Sequence, residues 1–178
     1  MENTFMQGKK DNTFTWESLG DIKAGREDLG EEMPVLVYRL MQFTMLDVLT
    51  KAHGADTANS YFRQAGYLAG TEFAKNVLDL KTDFTGFVAN LQEKLKNLKI
   101  GILRIEGINE ETGALTLTVE QDLDCSGLPI TGDHVCVYDE GFIAGILESY
   151  TGKKYNVYET DCWASGDKLC RFNGTCCK

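Results

Sequence analysis

The sequence has 178 residues, of which 43% are hydrophobic and 25% are charged, as expected for a single globular domain with its own core. Its formal net charge of -9 argues against binding to a nucleic-acid backbone, and no apolar run approaches the length of a membrane span. Residues 1–14 lack an apolar signal core, so we expect a cytoplasmic protein.

The N-terminal stretch, residues 1–33, is polar and contains glycine, with only isolated apolar residues such as Phe14 and Trp16. It predicts an arm or a short strand that packs on the body or on a neighbouring subunit. Residues 34–178 are predicted to form one domain.

The first predicted helix covers residues 34–51. Glu31 and Pro34 favour a helix start, and Gly54 is a suitable terminator. Apolar residues occupy nearly every side of this helix, which indicates burial on two sides. We expect a core contact together with a homodimer interface, and the same pattern also fits the wall of a ligand cavity.

Two further helices follow. The helix over residues 57–78 carries Gly66 and Gly70 one turn apart, which costs helix stability unless something approaches closely. Close helix packing and a ligand over the bare backbone are the two explanations. Asp83 can cap the next helix, whose apolar stripe over residues 84–98 is typical of core packing.

The pattern then changes to strands. Residues 100–108 are rich in β-branched side chains, and residues 109–113 have the composition of a hairpin turn. In the strand over residues 114–122, Leu115 and Leu117 alternate with threonines, which predicts one apolar face.

A last helix is predicted over residues 135–150, where Gly141 and Gly145 bare one face, and strands are predicted over 155–162 and 169–173. The element order ααα-ββ-α-ββ predicts an α+β domain. Its four mainly antiparallel strands would have their helices on one face.

Four side chains near the two ends of this region are metal-ligand types: Cys136, Glu159, Cys162 and Cys170. A hairpin turn between the last two cysteines would bring their thiols together, with Glu159 just upstream. Three thiolates and a carboxylate suit a tetrahedral zinc ion, and a shell of four protein ligands leaves no open position for chemistry. The pattern predicts a structural zinc site.

The remaining cysteines leave alternatives open. Six cysteines can form three disulfides, although the absence of an export signal favours free thiols or metal ligation. Cys125 is predicted to be an ordinary thiol in a loop where a ligand could bind. Cys176 and Cys177, with Cys170, could hold a second soft metal or an iron–sulfur cluster. His134 is an alternative zinc donor.

The segments HVCVYDEGFIAGIL and YETDCWASGDKLCRF resemble the 4-vinyl reductase domain. The likeness covers roughly the last third of the chain and weakens over the helices before it. That family includes predicted hydrocarbon-binding proteins and the sensory domains of aromatic-responsive transcription activators. The resemblance implies a dimer of the same α+β fold, and structural zinc on Cys136, Glu159, Cys162 and Cys170.

The chain lacks a serine-hydrolase nucleophile motif, a phosphate-binding loop and a dinucleotide fingerprint, so an enzyme acting alone is disfavoured. We expect instead a sensor or carrier for an apolar small molecule, signalling through a separate partner. Its cavity would lie between the helices at 57–78 and 135–150 and the strand at 114–122. The candidate contacts are Gly66, Gly70, Leu115, Leu117, Gly141 and Gly145. Two alternatives are a redox or accessory protein of tetrapyrrole or other hydrophobic-cofactor metabolism, and an interaction scaffold, since the related fold also occurs in vesicle-tethering subunits.

Overall fold

The computed structural model describes residues 13–177, and the chain divides into two compact units, residues 1–32 and 33–178. In the first unit, a 3-10 turn over Trp16–Leu19 precedes the short helix α1, Ile22–Gly25, which the Asp21 carboxylate caps. Within residues 13–32 the predicted arm therefore contains helical turns and no strand. Residues 1–12 of that arm lie outside the described residues.

The second unit contains four long helices at the predicted places: α2 (Val35–His53), α3 (Ala55–Val77), α4 (Phe84–Asn97) and α5 (Val137–Thr151). Gly54 separates α2 from α3 with a left-handed φ of 83°, which glycine adopts without a steric penalty. The Asp83 carboxylate accepts a hydrogen bond from the Gly86 amide and so caps α4 as predicted. No helix in the described part of the chain has the length and apolarity needed to cross a membrane.

The four strands form one sheet, and all neighbouring pairs are antiparallel. The strands are β1 (Ile102–Ile108), β2 (Leu115–Glu120), β3 (Tyr155–Asp161) and β4 (Cys170–Cys176), in the spatial order β1-β2-β4-β3. The Asn109 side chain accepts hydrogen bonds from two amides of the β1–β2 turn, which explains the predicted hairpin. The predicted α+β fold is confirmed.

The core lies between the sheet and helices α4 and α5. Leu117 and Phe172 project from the central strands, and Phe87, Leu91 and Ile146 meet them from the helices. Helix α3 packs on the far side of α5, and α2 packs in turn on α3. The helices thus form successive layers over one face of the sheet.

Helices α3 and α5 cross at very close range because each presents two glycines. A Cβ atom added at Gly66 would overlap the carbonyl group of Tyr138, and one added at Gly145 would lie 2.8 Å from the Thr71 amide nitrogen. These neighbours are backbone atoms, which cannot rotate away. The glycines therefore allow one helix backbone to pack directly against the other.

Helix α2 has no buried residue within a single chain. The side chains that form its exposed apolar face are Leu36, Val37, Leu40, Met41, Met45 and Val48, each more than half exposed. A single chain therefore leaves one whole apolar face of this helix in contact with solvent.

Candidate metal centre and ligand cavity

Four cysteine thiols meet at one buried point, although they come from four separate segments. Cys125 lies in the loop between β2 and α5, Cys136 immediately precedes α5, Cys162 follows β3, and Cys170 begins β4. All four are at most 1% exposed. The antiparallel pairing of β3 with β4 brings Cys162 and Cys170 to the same end of the sheet, as the predicted hairpin required.

The spacing of the sulfur atoms suits a single metal ion. The Cys136 sulfur lies 3.9 Å from that of Cys162 and 3.8 Å from that of Cys170, while the Cys125 and Cys170 sulfurs are 3.0 Å apart. A tetrahedral zinc ion with bonds of about 2.3 Å has sulfur–sulfur edges of about 3.8 Å. The four sulfurs lie within 4.8 Å of one another, which leaves room for one ion and none for a cluster of several atoms.

The electrostatics of the four thiols also favour a cation. Hydrogen bonds among them, those of Cys125 first, raise the pKa of Cys136 and Cys170 and lower the pKa of Cys162. One sulfur is therefore favoured as a thiolate, with its neighbours remaining protonated. A metal ion would allow all four to ionise, because its positive charge stabilises thiolates that otherwise repel one another.

Side chains of α2 hold the loop that carries Cys125. The Tyr38 hydroxyl donates to one carboxylate oxygen of Asp124 at 2.8 Å, and the Gln42 amide donates to the other at 2.7 Å. The Arg39 guanidinium donates to the Leu123 carbonyl oxygen at 2.8 Å. Helix α2 thus fixes one wall of the metal centre.

Glu159, the predicted fourth ligand, lies beside the thiols. Its Oε2 atom accepts a hydrogen bond from the Cys136 amide at 3.1 Å, and its Oε1 atom is buried with no hydrogen-bond partner. Burial raises the pKa of Glu159 to about 8. The Glu159 amide donates to Glu140, whose carboxylate pairs with Arg63. The carboxylate of Glu159 therefore holds the start of α5, where Cys136 lies.

The structure brings together three of the four predicted ligands, Cys136, Cys162 and Cys170, and adds Cys125, which the sequence indicated only as a loop thiol. His134 is exposed and is not part of any metal-binding group among the described residues. Cys176 and Cys177 also lie apart from the four thiols, and no cysteine forms a disulfide.

An apolar cavity of about 40 Å³ lies between α4, α5, β1 and β2. Apolar side chains form almost all of its wall: Phe84, Phe87, Val88, Leu91, Leu95, Ile100, Leu103, Ile105, Leu115, Leu117, Val119, Phe142, Ile143, Ile146 and Leu147. The two polar residues of its lining are Asp122 and Asp139. An enclosed apolar space with few polar groups is the usual form of a small-molecule site.

The cavity differs in part from the one predicted from the sequence. Leu115 and Leu117 line it as expected, but α4 replaces α3 as one of its walls. Gly66, Gly70, Gly141 and Gly145 do not line it, because they lie at the α3–α5 crossing. Close packing, the alternative explanation for these glycines, describes their surroundings. Helix α2 is also absent from the wall.

Comparison with known families and sequences identifies relatives. Residues 115–175 match the model of the vinyl-4-reductase domain. An uncharacterised protein of Methanocaldococcus jannaschii is 32% identical over 146 residues, an alignment that spans 82% of this chain and 80% of the relative.

Two solved structures share the fold. The phenol-responsive sensory domain of the transcription activator PoxR, determined with phenol, superposes with a TM-score of 0.63 at 15% identity, over 83% of this chain and 78% of that one. A vinyl-4-reductase family protein of Methanocaldococcus jannaschii superposes with a TM-score of 0.55 at 14% identity, over 88% and 89% of the two chains.

Proposed function

The chain belongs to the vinyl-4-reductase domain family, and we propose that it is a zinc-stapled binding domain for an apolar small molecule. The observation that carries this proposal is the apolar cavity between α4, α5, β1 and β2. Its volume of about 40 Å³ is smaller than the roughly 150 Å³ of a cavity that holds benzene. Ligand binding therefore requires side chains such as Phe87 and Phe142 to move apart.

The fold likeness to the PoxR sensory domain supports this proposal, since that domain was determined with phenol. The most direct test is a titration of the protein, labelled at its leucine and isoleucine methyl groups, with toluene. We expect shifts at Leu103, Leu117 and Ile146, which line the cavity, and none at Ile22 or Leu29, which are exposed in the N-terminal unit. Shifts spread evenly over exposed and cavity methyl groups would refute a defined site.

We propose that the thiols of Cys125, Cys136, Cys162 and Cys170 bind the zinc ion, and that Glu159 positions Cys136 through its amide. The sulfur spacing and the complete burial of the four thiols support this set. Such a site holds the loop, the helix and the hairpin together, because the ligands converge only in the folded chain.

Two substitutions distinguish this set from the one in which Glu159 is the fourth ligand. We expect Cys125→Ser to weaken zinc binding strongly and Glu159→Gln to retain one zinc ion per chain. The exposed Cys177→Ser is the matched control for the loss of a thiol. Loss of zinc from Glu159→Gln with full zinc in Cys125→Ser would instead make Glu159 the ligand.

We also propose that the apolar face of α2 packs against the same face of a second copy. A contiguous row of exposed apolar residues on one helix is unusual for a monomer, and a two-fold interface needs a single self-complementary surface. Sedimentation at micromolar concentration tests this, and a monomer would contradict it. Leu40→Glu should separate the dimer, whereas Leu98→Glu, an exposed leucine beyond the end of α4, should not.

We place the protein in the cytoplasm, where a reducing compartment would keep its six unpaired cysteines as thiols or metal ligands. A change in α2 packing is the natural output of ligand binding to a separate signalling partner, because α2 contacts the loop that carries Asp122 and Cys125.

A further inference from the structure

The apolar cavity has one polar end, made by two aspartates. Asp122 lies in the loop after β2 and is 4% exposed, and Asp139 lies in the first turn of α5. One carboxylate oxygen of each lies within 4.8 Å of the other and of the Cys136 sulfur. The rest of the wall is apolar, so this end alone can orient a ligand by polar contacts.

The hydrogen bonds of this carboxyl pair are incomplete. The Oδ1 atom of Asp122 accepts from the amides of Asp124 and Cys125, at 2.8 and 3.2 Å. The Oδ2 atom of Asp139, in contrast, is enclosed and has no hydrogen-bond partner. Buried acceptors without a partner are rare in folded proteins, since each loses its hydration without compensation. This oxygen is therefore free to accept a hydrogen bond from a bound molecule.

The positive charge near the pair is also small. Neither carboxyl takes part in an ion pair with any residue from 13 to 177: Arg63 pairs with Glu140, and Arg39 donates to backbone carbonyls. The N-terminus of α5 contributes the equivalent of about half an elementary charge, less than two carboxylates would need. Burial accordingly raises the pKa of Asp122 to about 7 and that of Asp139 well above its usual range.

We propose that the ligand is an apolar amine, with its hydrocarbon body among the α4, α5 and sheet side chains and its ammonium group donating to Asp139 and Asp122. This inference rests on the proposed binding function and specifies the class of ligand. An organic cation fits this place better than a second metal ion. A metal ion would share Cys136 with the four-thiol centre and would find only apolar groups on the cavity side, where it needs further ligands.

Three probes of similar shape test the ligand class on the full zinc-loaded chain: toluene, benzyl alcohol and benzylamine, which is protonated at neutral pH. Methyl-group NMR titrations give the affinity of each. We expect benzylamine to bind at least about tenfold more tightly than toluene, with benzyl alcohol between them, because hydrogen bonds from charged donors are the stronger ones. Asp139→Asn should bring benzylamine close to toluene and leave toluene almost unchanged. Asp133→Asn, in an exposed loop, is the matched control.

The outcomes separate the two proposals. If toluene binds in the cavity and benzylamine binds no better, the amine inference is wrong and the apolar binding function stands; if no probe binds, both fail. The wild-type comparison needs no variant, so a poorly folding Asp139→Asn protein would not obscure it. Two metal ions per wild-type chain and one per Asp139→Asn chain would assign the carboxyl pair to a metal and overturn the inference.

Discussion

The close crossing of α3 and α5 predicts the effect of a single added methyl group. In Gly141→Ala, the new Cβ atom would overlap the carbonyl oxygen of Arg63 and would lie 2.7 Å from the Tyr67 amide nitrogen. Both neighbours are backbone atoms, so the two helices must move apart by more than about 1 Å to reach an ordinary contact.

The expected loss of stability follows from two opposing terms. Overpacking of this kind typically costs about 1–3 kcal/mol, and a separation along the whole crossing should fall at the upper end because it disturbs neighbours such as Ala144 and Phe73. Replacing a helical glycine by alanine returns about 1 kcal/mol. We therefore expect a free energy of unfolding about 2 kcal/mol lower, and a melting temperature about 4–8 °C lower for a chain of this size.

Urea unfolding followed by circular dichroism, at one fixed protein concentration, measures this difference. Gly107→Ala is the matched control, because its Cβ atom would have no neighbour within 4 Å and its backbone is not in the left-handed region. The control should stay within about 0.5 kcal/mol of the wild type. A Gly141→Ala protein as stable as the wild type would refute the close crossing.

Three further results are expected. Cys162→Ser and Cys170→Ser should each lose stoichiometric zinc, measured by elemental analysis, and should melt at lower temperature than Cys177→Ser; full zinc in both would contradict the metal centre. Zinc affinity should rise as the pH is raised from about 5 to 8, since binding releases thiol protons, and an affinity independent of pH would argue against thiolate ligands. Leu40→Glu should halve the sedimenting mass while the circular dichroism of the chain is kept, because this side chain is 63% exposed in a single chain; an unchanged mass would place any interface elsewhere.

The sequence predicted elements whose causes are local. The β1–β2 turn follows from Asn109, and the meeting of Cys162 with Cys170 follows from a hairpin between them. The period of the apolar residues separated helices from strands, and the order of these elements was enough to predict the α+β fold.

The rest depends on contacts between residues distant in the chain. Cys125 joins the other thiols in a loop held by Tyr38, a residue 86 positions before Asp124, and no spacing rule reports such a contact. The paired glycines predicted a bare helix face, but the pattern alone does not say whether a helix or a ligand covers it. Asp139 has the position of an ordinary first-turn acid, and only the fold reveals that it borders the cavity.

The central claim, that the protein binds an apolar molecule between α4, α5 and the sheet, is tested most directly by the toluene titration of methyl-labelled protein. The account predicts saturable shifts confined to methyl groups of the cavity wall, such as those of Leu103, Leu117 and Ile146. It also predicts their loss in Leu117→Phe, whose larger ring would fill the space. Shifts that do not saturate, or that persist unchanged in a folded Leu117→Phe protein, would contradict it.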